Sequence, residues 1–238
     1  MSKPVPVTVD IWSDVMCPWC VIGHNQLETA LAGMQDEVSA TVRFHPFELN
    51  PDMPENGEES AAHIQRKYGR TPEQAADARG RMAQAAEAAG YSFSYTGAKD
   101  EGGEAPPAMM WNTRLAHRLL VYVLREHGAK MQVKLKRALF DAHFQQRRRM
   151  NDPTVLTEVA ASVGINRAEA AAALNDPEID AIVEAGEQQA WDWNISGVPA
   201  MIVNGKYMIP GAQDPATYAN MLRRVIAKEA AQAAAAPA

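Results

Sequence analysis

The chain has 238 residues, of which 47% are hydrophobic and 22% charged, and its formal net charge is −6. This composition is typical of a globular protein with one core, or with a core plus an insertion. The acidic balance gives no electrostatic reason to expect nucleic acid or an anionic membrane as a partner. No apolar run reaches the roughly 18 residues that span a bilayer, so no membrane partner is expected.

The N-terminal stretch MSKPVPVTVDIWSDV contains one lysine, two prolines and no continuous apolar region. It therefore lacks the pattern of a secretory signal, and we expect a cytoplasmic protein. In that compartment thiols are kept reduced, and two neighbouring cysteines are more often catalytic or metal-binding than structural.

The first part of the chain predicts a β-α-β unit. Residues 5–12, VPVTVDIW, alternate apolar and polar side chains as a strand does, and residues 40–47, ATVRFHPF, predict a second strand. Between them, residues 21–33 place apolar side chains at helical spacing and end on a glycine. The cysteine motif SDVMCPWC lies at the junction of the first strand and this helix.

A long helical block follows, without a strong strand signal. AMMWNTRLAHRLLVYVLREHG, residues 108–128, predicts one long amphipathic helix. Asp152-Pro153 and Asp176-Pro177 predict helix starts, with aspartate as the cap and proline in the first helical position.

Strand character returns near the C-terminus. VPAMIVNGKYMIPGA, from Val198, has two apolar runs around Asn204-Gly205, which predicts a β-hairpin, and a last helix begins near Asp214-Pro215. The order β-α-β, helices, β-β-α predicts a small α/β domain interrupted by an all-helical insertion. We assign residues 1–52 to its first half, 53–193 to the insertion, and 194–238 to its second half and C-terminal helix.

Cys17 and Cys20 are the two cysteines of the chain. A structural disulfide between them would close too short a loop to add much stability. Zinc needs two further ligands, and the six histidines form no close pair at metal-ligand spacing. The favoured interpretation is a redox-active dithiol, because a helix N-terminus stabilises a thiolate and so predicts a lowered pKa for Cys17. Cys20, about one turn later, would resolve a mixed disulfide.

The neighbours of the two cysteines carry further expectations. Pro18 suits the first helical position, and Trp19 offers a flat apolar rim to a substrate. Trp19 adds no positive charge, so we expect a less oxidising couple than with histidine in its place. We expect His24 to be an exposed helical side chain, and Asp14 either to shape the turn or to tune proton transfer.

Five motifs together carry a resemblance. SDVMCPWCVIG, FHPFELNPDMP, NTRLAHRLL, ALFDAHF and GVPAMIVNGKYMIPGAQ, in this order, resemble the DsbA-like thioredoxin-fold family and, within it, the FrnE-type branch of cytoplasmic disulfide oxidoreductases. The resemblance covers nearly the whole chain. It implies a thioredoxin fold with a helical insertion and a cis bond between Val198 and Pro199 that faces the two cysteines. It also implies that the backbone at Val198 pairs with a bound substrate segment.

The resemblance extends to Asn112 and His117, which match a family motif on an inserted helix that faces the active site. Helix capping or a buried polar role explains them equally well. The chain differs from the periplasmic family members that have CPHC and a signal peptide, so a strongly oxidising role is not expected. Some FrnE-type proteins carry a further cysteine pair, which this chain lacks.

We therefore predict an enzyme, a protein disulfide oxidoreductase or isomerase, that exchanges disulfides with protein or small thiol substrates. The related 2-hydroxychromene-2-carboxylate isomerases and kappa-class glutathione transferases share the architecture and bear a serine near the position of Cys17. A glutathione-dependent isomerase or transferase acting on a small aromatic molecule is thus the alternative, and a non-catalytic binding protein or chaperone is a third.

We expect no metal and no cofactor beyond the redox-active disulfide, and glutathione is compatible as a co-substrate. The protein is expected to be a monomer or a homodimer. The predicted catalytic residues are Cys17, Cys20 and Pro199, and the predicted substrate-binding residues are Pro18, Trp19, Asn112, His117 and Val198.

Overall fold

The computed structural model describes residues 3–69, 71–99 and 101–235. In chain order its elements are β1 (Val5–Ser13), α1 (Pro18–Ala32), β2 (Val38–Pro46), β3 (Glu58–Glu59), α2 (Ser60–Tyr68), α3 (Pro72–Ala88), β4 (Met109–Met110), α4 (Arg114–His127), α5 (Ala129–Phe144), α6 (Pro153–Ser162), α7 (Arg167–Ala173), α8 (Pro177–Asp192), β5 (Ala200–Val203), β6 (Tyr207–Pro210) and α9 (Pro215–Ala235). Along these ranges, no helix has both the length and the hydrophobicity that crossing a membrane requires.

The main sheet has four strands in the order β2-β1-β5-β6. The central strand β1 runs parallel to β2 and antiparallel to β5, and β6 pairs antiparallel with β5. The predicted β-α-β and β-β-α units are therefore confirmed, and they join edge to edge because β1 and β5 pair directly. The predicted hairpin is confirmed too, with Asn204 and Gly205 both at positive φ in its turn.

One face of the sheet carries α1 and α9. Alternate residues of β1 (Val7, Val9 and Ile11) point into a buried cluster with Leu27 of α1 and Leu222 of α9, because side chains of a strand alternate between its faces. This core fixes the position of α1 on the sheet and therefore the position of its N-terminus, where the cysteines lie.

The helical insertion has a core of its own. Its centre is formed by Leu119, Leu135, Leu139, Met150 and Leu156, which are fully buried. Helices α4, α5 and α8 also pack on strand β2, so the insertion rests on the edge of the sheet. The division of the chain at residues 52/53 and 193/194 remains a proposal, and its outermost residues 1–2 and 236–238 lie outside the described ranges.

The predicted helix starts are confirmed. The side chains of Asp152 and Asp176 accept backbone N–H groups of the first turns of α6 and α8, and a proline follows each of them. Asp214 accepts the N–H of Thr217 in the same way at the start of α9.

The single helix predicted for residues 108–128 is wrong. Met109 and Met110 instead pair with Glu58 and Glu59 as a short β-ladder, and α4 begins only at Arg114. The ladder depends on Gly57, at φ +68°, where an added Cβ would lie 2.5 Å from the carbonyl oxygen of Met110. Sequence periodicity does not detect this pairing, because it joins residues about fifty positions apart.

Candidate active site

The two cysteines lie where the first strand gives way to the first helix. Cys17 is the N-cap of α1, with extended backbone angles (φ −86°, ψ 113°), and Pro18 occupies the first turn, as predicted. The N–H of Cys20 donates to the carbonyl oxygen of Cys17 at 3.0 Å, which closes that turn. Both thiols are free, and their residues are only 3% and 1% exposed.

The segment before β5 closes the site from the opposite side. The thiol of Cys17 donates to the carbonyl oxygen of Val198 at 3.5 Å, and the Val198–Pro199 peptide bond is cis. Helix α1 meets this segment closely at Gly23, where an added Cβ would lie 3.1 Å from Cγ of Pro199. The fold therefore brings Cys17 next to Val198 and Pro199, although Val198 lies 181 positions later in the chain.

Apolar side chains from the insertion cover the dithiol. Cys17, Cys20, Val21 and Phe140 of α5 form one buried cluster. The partly buried residues packed against it are Leu49, Tyr91, Phe93, Phe144 and Val198. Trp19, in contrast, is 44% exposed, so it is the part of the cysteine motif that a partner molecule meets first.

Asp14 is a buried carboxylate beside the cysteine turn. It accepts hydrogen bonds from the N–H of Met16 (3.1 Å), the N–H of Leu49 (2.8 Å) and the hydroxyl of Thr113 (3.3 Å). Burial raises its pKa more than these bonds and the positive charge of Lys136 lower it. Asp14 thus ties the β1–α1 turn to the insertion, and it places a titratable group near Cys17.

The predicted lowering of the Cys17 pKa is wrong. Burial raises the pKa of the Cys17 thiol well above its usual value, and the neighbouring Cys20 and Asp14 raise it further. A backbone hydrogen bond from Cys20 lowers it, as expected for a helix N-terminus, but this contribution is the smallest. The sequence correctly located the helix end but contained no sign of the cover that excludes water from it.

The expectation of an exposed His24 is also wrong. His24 is fully buried, with its ring edge-on to Phe44 of β2 at a centroid distance of 5.1 Å. Neither ring nitrogen has a hydrogen-bond partner among the described residues. Burial lowers its pKa to about 3, so it is neutral at physiological pH and supplies no charge to the cysteines.

Asn112 lies two residues before α4, and His117 lies in the first turns of that helix. The Asn112 amide donates to Glu48 (3.2 Å) and to the carbonyl of Pro51 (2.9 Å), and its oxygen accepts the N–H of Arg114 (2.9 Å). His117 is 1% exposed, and burial holds its pKa well below the usual value. Asn112 thus accepts the first N–H of α4, and His117 is a buried side chain whose Nε2 has no hydrogen-bond partner among the described residues. Substrate contact by these two residues stays a prediction.

Sequence reasoning missed Lys136 of α5. This residue is fully buried, and its Nζ donates to the carbonyl oxygen of Ser13 at 3.3 Å. The nitrogen lies 5.3 Å from the ring centroid of Phe44 and 5.0 Å from that of Phe140. The available signal was its spacing: Lys136 lies between Leu135 and Phe140 on the apolar stripe of an amphipathic helix.

Within residues 3–69, 71–99 and 101–235, no group of three or more histidine, cysteine, aspartate or glutamate side chains is placed to hold a metal ion.

Comparisons with known proteins agree with this architecture. A family model described as the DSBA-like thioredoxin domain matches residues 8–223. The thiol:disulfide interchange protein DsbA of Pectobacterium carotovorum subsp. carotovorum is 38% identical over 76 residues, which are 32% of this chain and 36% of that protein. The chain therefore matches only about a third of the length of this curated relative.

Among solved structures, a probable DsbA oxidoreductase from Streptomyces coelicolor is similar with a TM-score of 0.79 and 28% identity, covering 92% of this chain and 89% of that one. The cytosolic disulfide reductase DsbM from Pseudomonas aeruginosa, solved with GSH, has a TM-score of 0.61 and 17% identity, covering 92% and 98%. This second likeness concerns the fold alone. The expected thioredoxin fold with a helical insertion is confirmed.

Proposed function

Because the chain belongs to the DSBA-like thioredoxin domain family, we propose that it is a thiol–disulfide oxidoreductase working through Cys17 and Cys20. The observation that carries this proposal is the juxtaposition of the Cys17 sulfur, at the N-cap of α1, with the carbonyl of Val198 at 3.5 Å. A strand of substrate laid beside residues 198–199 would bring its own sulfur to this point.

The exchange proceeds in two displacements. The Cys17 thiolate attacks one sulfur of a substrate disulfide, the substrate S–S bond breaks, and the other substrate sulfur leaves as a thiolate. The Cys20 thiolate then attacks the Cys17 sulfur, the mixed disulfide breaks, and the second substrate thiolate leaves. The protein ends with a Cys17–Cys20 disulfide, and the substrate has gained the two electrons.

Access to Cys17 sets a condition on the substrate. Since only 3% of Cys17 is exposed, binding has to displace part of the cover formed by Leu49, Phe93 and Val198. The exposed Trp19 provides the adjoining apolar surface. We propose protein or small-molecule disulfides as substrates, with glutathione as a compatible co-substrate. We also propose that the protein is cytoplasmic, belongs to the FrnE-type branch, and is a monomer or a homodimer.

The direction of exchange follows from the protonation of the dithiol. Oxidants such as those near −120 mV owe their potential to a reduced form stabilised as a thiolate. Here burial favours the neutral Cys17 thiol instead, so we expect a potential nearer to the ≈ −270 mV of thioredoxin. Equilibration with glutathione buffers measures it, and a value above about −200 mV would contradict this expectation.

The roles of the two cysteines are tested with single variants. Reduced Cys20→Ser is mixed with a disulfide-bonded peptide, quenched with acid and analysed by mass spectrometry. We expect a stable peptide adduct on Cys17, because the resolving sulfur is missing. Cys17→Ser is the matched control and should form no adduct. Adducts on Cys17→Ser but not on Cys20→Ser would reverse the assignment.

A glutathione-dependent isomerase or transferase remains the second candidate. The observation in its favour is the aromatic lining near Cys17, where Tyr91, Phe93 and Phe144 pack against the cluster of the two thiols. Such chemistry needs one thiol-bearing ligand and no resolving cysteine. Activity on a small aromatic substrate with glutathione that survives Cys20→Ser would support it over disulfide exchange.

A further inference from the structure

A buried lysine lies behind the dithiol without a carboxylate partner. Lys136 is fully buried, its Nζ donates to the carbonyl of Ser13, and the rings of Phe44 and Phe140 cover it. Within the part of the chain that the structure describes, no ion pair joins it to a carboxylate. An ammonium group loses strong hydration when it is buried and normally requires a counter-ion. The buried ammonium group of Lys136 therefore lowers the stability of the fold unless an anion forms beside it.

The groups that interact electrostatically with Lys136 come from three elements. Asp14 lies in the turn after β1. Cys17 is the N-cap of α1, Cys20 and His24 belong to α1, and His117 belongs to α4. Burial lowers the pKa of both histidines, that of His24 to about 3, so both are neutral near pH 7. The counter-ion must therefore be Asp14 or one of the two thiolates.

Cys20 is the strongest of these candidates. Burial lowers the pKa of Lys136 to about 8, while Cys20, Asp14 and Cys17, in decreasing order, raise it. Asp14 already accepts three hydrogen bonds from Met16, Leu49 and Thr113. The helix of the lysine places it near the thiols, because Phe140, one turn later and with its ring centroid 5.0 Å from Nζ of Lys136, belongs to the same buried cluster as Cys17 and Cys20.

We propose that Lys136 is a positioning residue for the second displacement: its ammonium group stabilises the Cys20 thiolate while Cys20 resolves the mixed disulfide. The inference rests on the proposed function and deepens it. The helical insertion would then supply the charge that the helix N-terminus supplies only weakly, since burial outweighs the backbone contribution at Cys17.

The step balances as follows. The proton of the Cys20 thiol passes to a base in solution, and the resulting thiolate is held by the Lys136 ammonium. The thiolate forms the S–S bond to Cys17, the bond from Cys17 to the substrate sulfur breaks, and that sulfur leaves as a thiolate. In this step the Cys20 sulfur is oxidised and the departing substrate sulfur is reduced, while the Cys17 sulfur stays at the disulfide level. The buried anion at Cys20 disappears.

The test separates the two displacements. Reduced protein is mixed with excess disulfide-bonded peptide, and the Cys17 adduct is followed by acid quench and mass spectrometry. Lys136→Gln keeps a donor for the Ser13 carbonyl without the charge, Lys136→Met removes both, and Lys136→Arg keeps the charge. Adduct formation alone is measured in the Cys20→Ser background, with and without Lys136→Gln.

We expect Lys136→Gln and Lys136→Met to accumulate the adduct. The resolution of the adduct at pH 7 should slow about tenfold, and the pH profile of its rate should move to higher pH by about one unit. Adduct formation should change less than resolution, and Lys136→Arg should resolve within about threefold of the unsubstituted protein. Thermal unfolding of each reduced variant identifies any variant that does not fold. If either Lys136→Gln or Lys136→Met does not fold, the other one provides the test.

Resolution by Lys136→Gln or Lys136→Met as fast as in the unsubstituted protein overturns the inference. So does equal slowing in all three variants without a change in pH profile, which marks a purely structural lysine. Failure of the proposed function looks different, because neither the unsubstituted protein nor Cys20→Ser would then form an adduct on Cys17.

Discussion

Replacing Asp14 by asparagine should make Cys17 more reactive while destabilising the fold. The Asp14 charge is one of the causes that raise the pKa of the Cys17 thiol. The substitution Asp14→Asn would remove that charge but retain the side-chain size. A nearby like charge raises the pKa of a thiol, so we expect a lower pKa for Cys17 in this variant.

The effect on rate is smaller than the effect on ionisation. A pKa lower by one unit gives about ten times more thiolate at pH 7. The nucleophilicity of a thiolate falls with its pKa, with a Brønsted slope of about 0.4–0.5, so the net gain in rate is about threefold. The midpoint potential at pH 7 should stay nearly unchanged, because the Cys17 pKa remains above that pH in both proteins.

The cost in stability comes from the hydrogen bonds of the carboxylate. Its two oxygens accept the N–H groups of Met16 and Leu49 and the hydroxyl of Thr113. An amide has only one acceptor oxygen, so its NH₂ group would face at least one of these donors. A buried donor without a partner costs about 1–3 kcal/mol. Since burial raises the pKa of Asp14, removing its charge offsets part of this cost at neutral pH, and urea unfolding of the reduced protein would measure the balance.

The assay is alkylation of Cys17 by iodoacetamide between pH 6 and 10, in the Cys20→Ser background so that one thiol reacts. Thr113→Val is the matched control, because it removes a hydrogen bond to Asp14 but leaves the charge. It should destabilise the protein with Cys17 reactivity changed by less than about twofold. A Cys17 pKa that is equal or higher in Asp14→Asn would refute the assigned role of the carboxylate.

Three further substitutions test the packing and the buried charges. Gly57→Ala should lower the free energy of unfolding in urea by about 3 kcal/mol, because the positive φ of Gly57 and its 2.5 Å approach to Met110 both oppose a Cβ. Gly69→Ala is the control: with φ +60° but nothing within 4 Å, it should lower that free energy by only about 1 kcal/mol. His24 has a folded pKa of about 3, below its ordinary 6.5, so protonation favours the unfolded chain. The contribution of neutral His24 to the free energy of unfolding is complete above pH 6.5 and is lost as the pH falls towards 3. This loss, about 4 kcal/mol, should be absent from the pH dependence of unfolding of His24→Phe. Burial, and then the charge of Glu187, raise the pKa of Glu48 from 4.5 to about 7. The contribution of neutral Glu48 to the free energy of unfolding is therefore complete below pH 4.5 and is lost as the pH rises through 7. Glu48→Gln should therefore be more stable than the unsubstituted protein by about 2 kcal/mol at pH 8, allowing for solvent screening, and a flat difference between pH 4.5 and 8 would contradict this.

The secondary structure and the location of the dithiol could be predicted because they depend on local rules. Alternation marks β1 and β2, an aspartate-proline pair begins α6 and α8, and Asn204-Gly205 makes the hairpin turn. Each of these patterns works through contacts within a few residues. The same holds for Cys17 as the cap of α1 and for Pro18 in its first turn.

The short ladder of β3 and β4 and the burial of His24 could not be predicted in this way. The ladder pairs Glu58–Glu59 with Met109–Met110, and periodicity does not detect a two-residue strand. His24 lies three residues from Val21 and from Leu27, and this spacing alone does not decide whether a histidine is buried; the packing against Phe44 removes its ring from water.

The sequence by itself thus located the residues that we propose carry the chemistry: two thiols three positions apart at a helix start, and a late Val-Pro segment before a strand. The tertiary structure alone decided the charge state of Cys17. Desolvation depends on every atom packed around a group, and here Phe140 and Lys136 arrive from an insertion helix more than a hundred residues beyond the cysteines. That distant cover turns a thiol expected to ionise easily into one that stays protonated, because water is excluded from the helix end that would otherwise stabilise its anion.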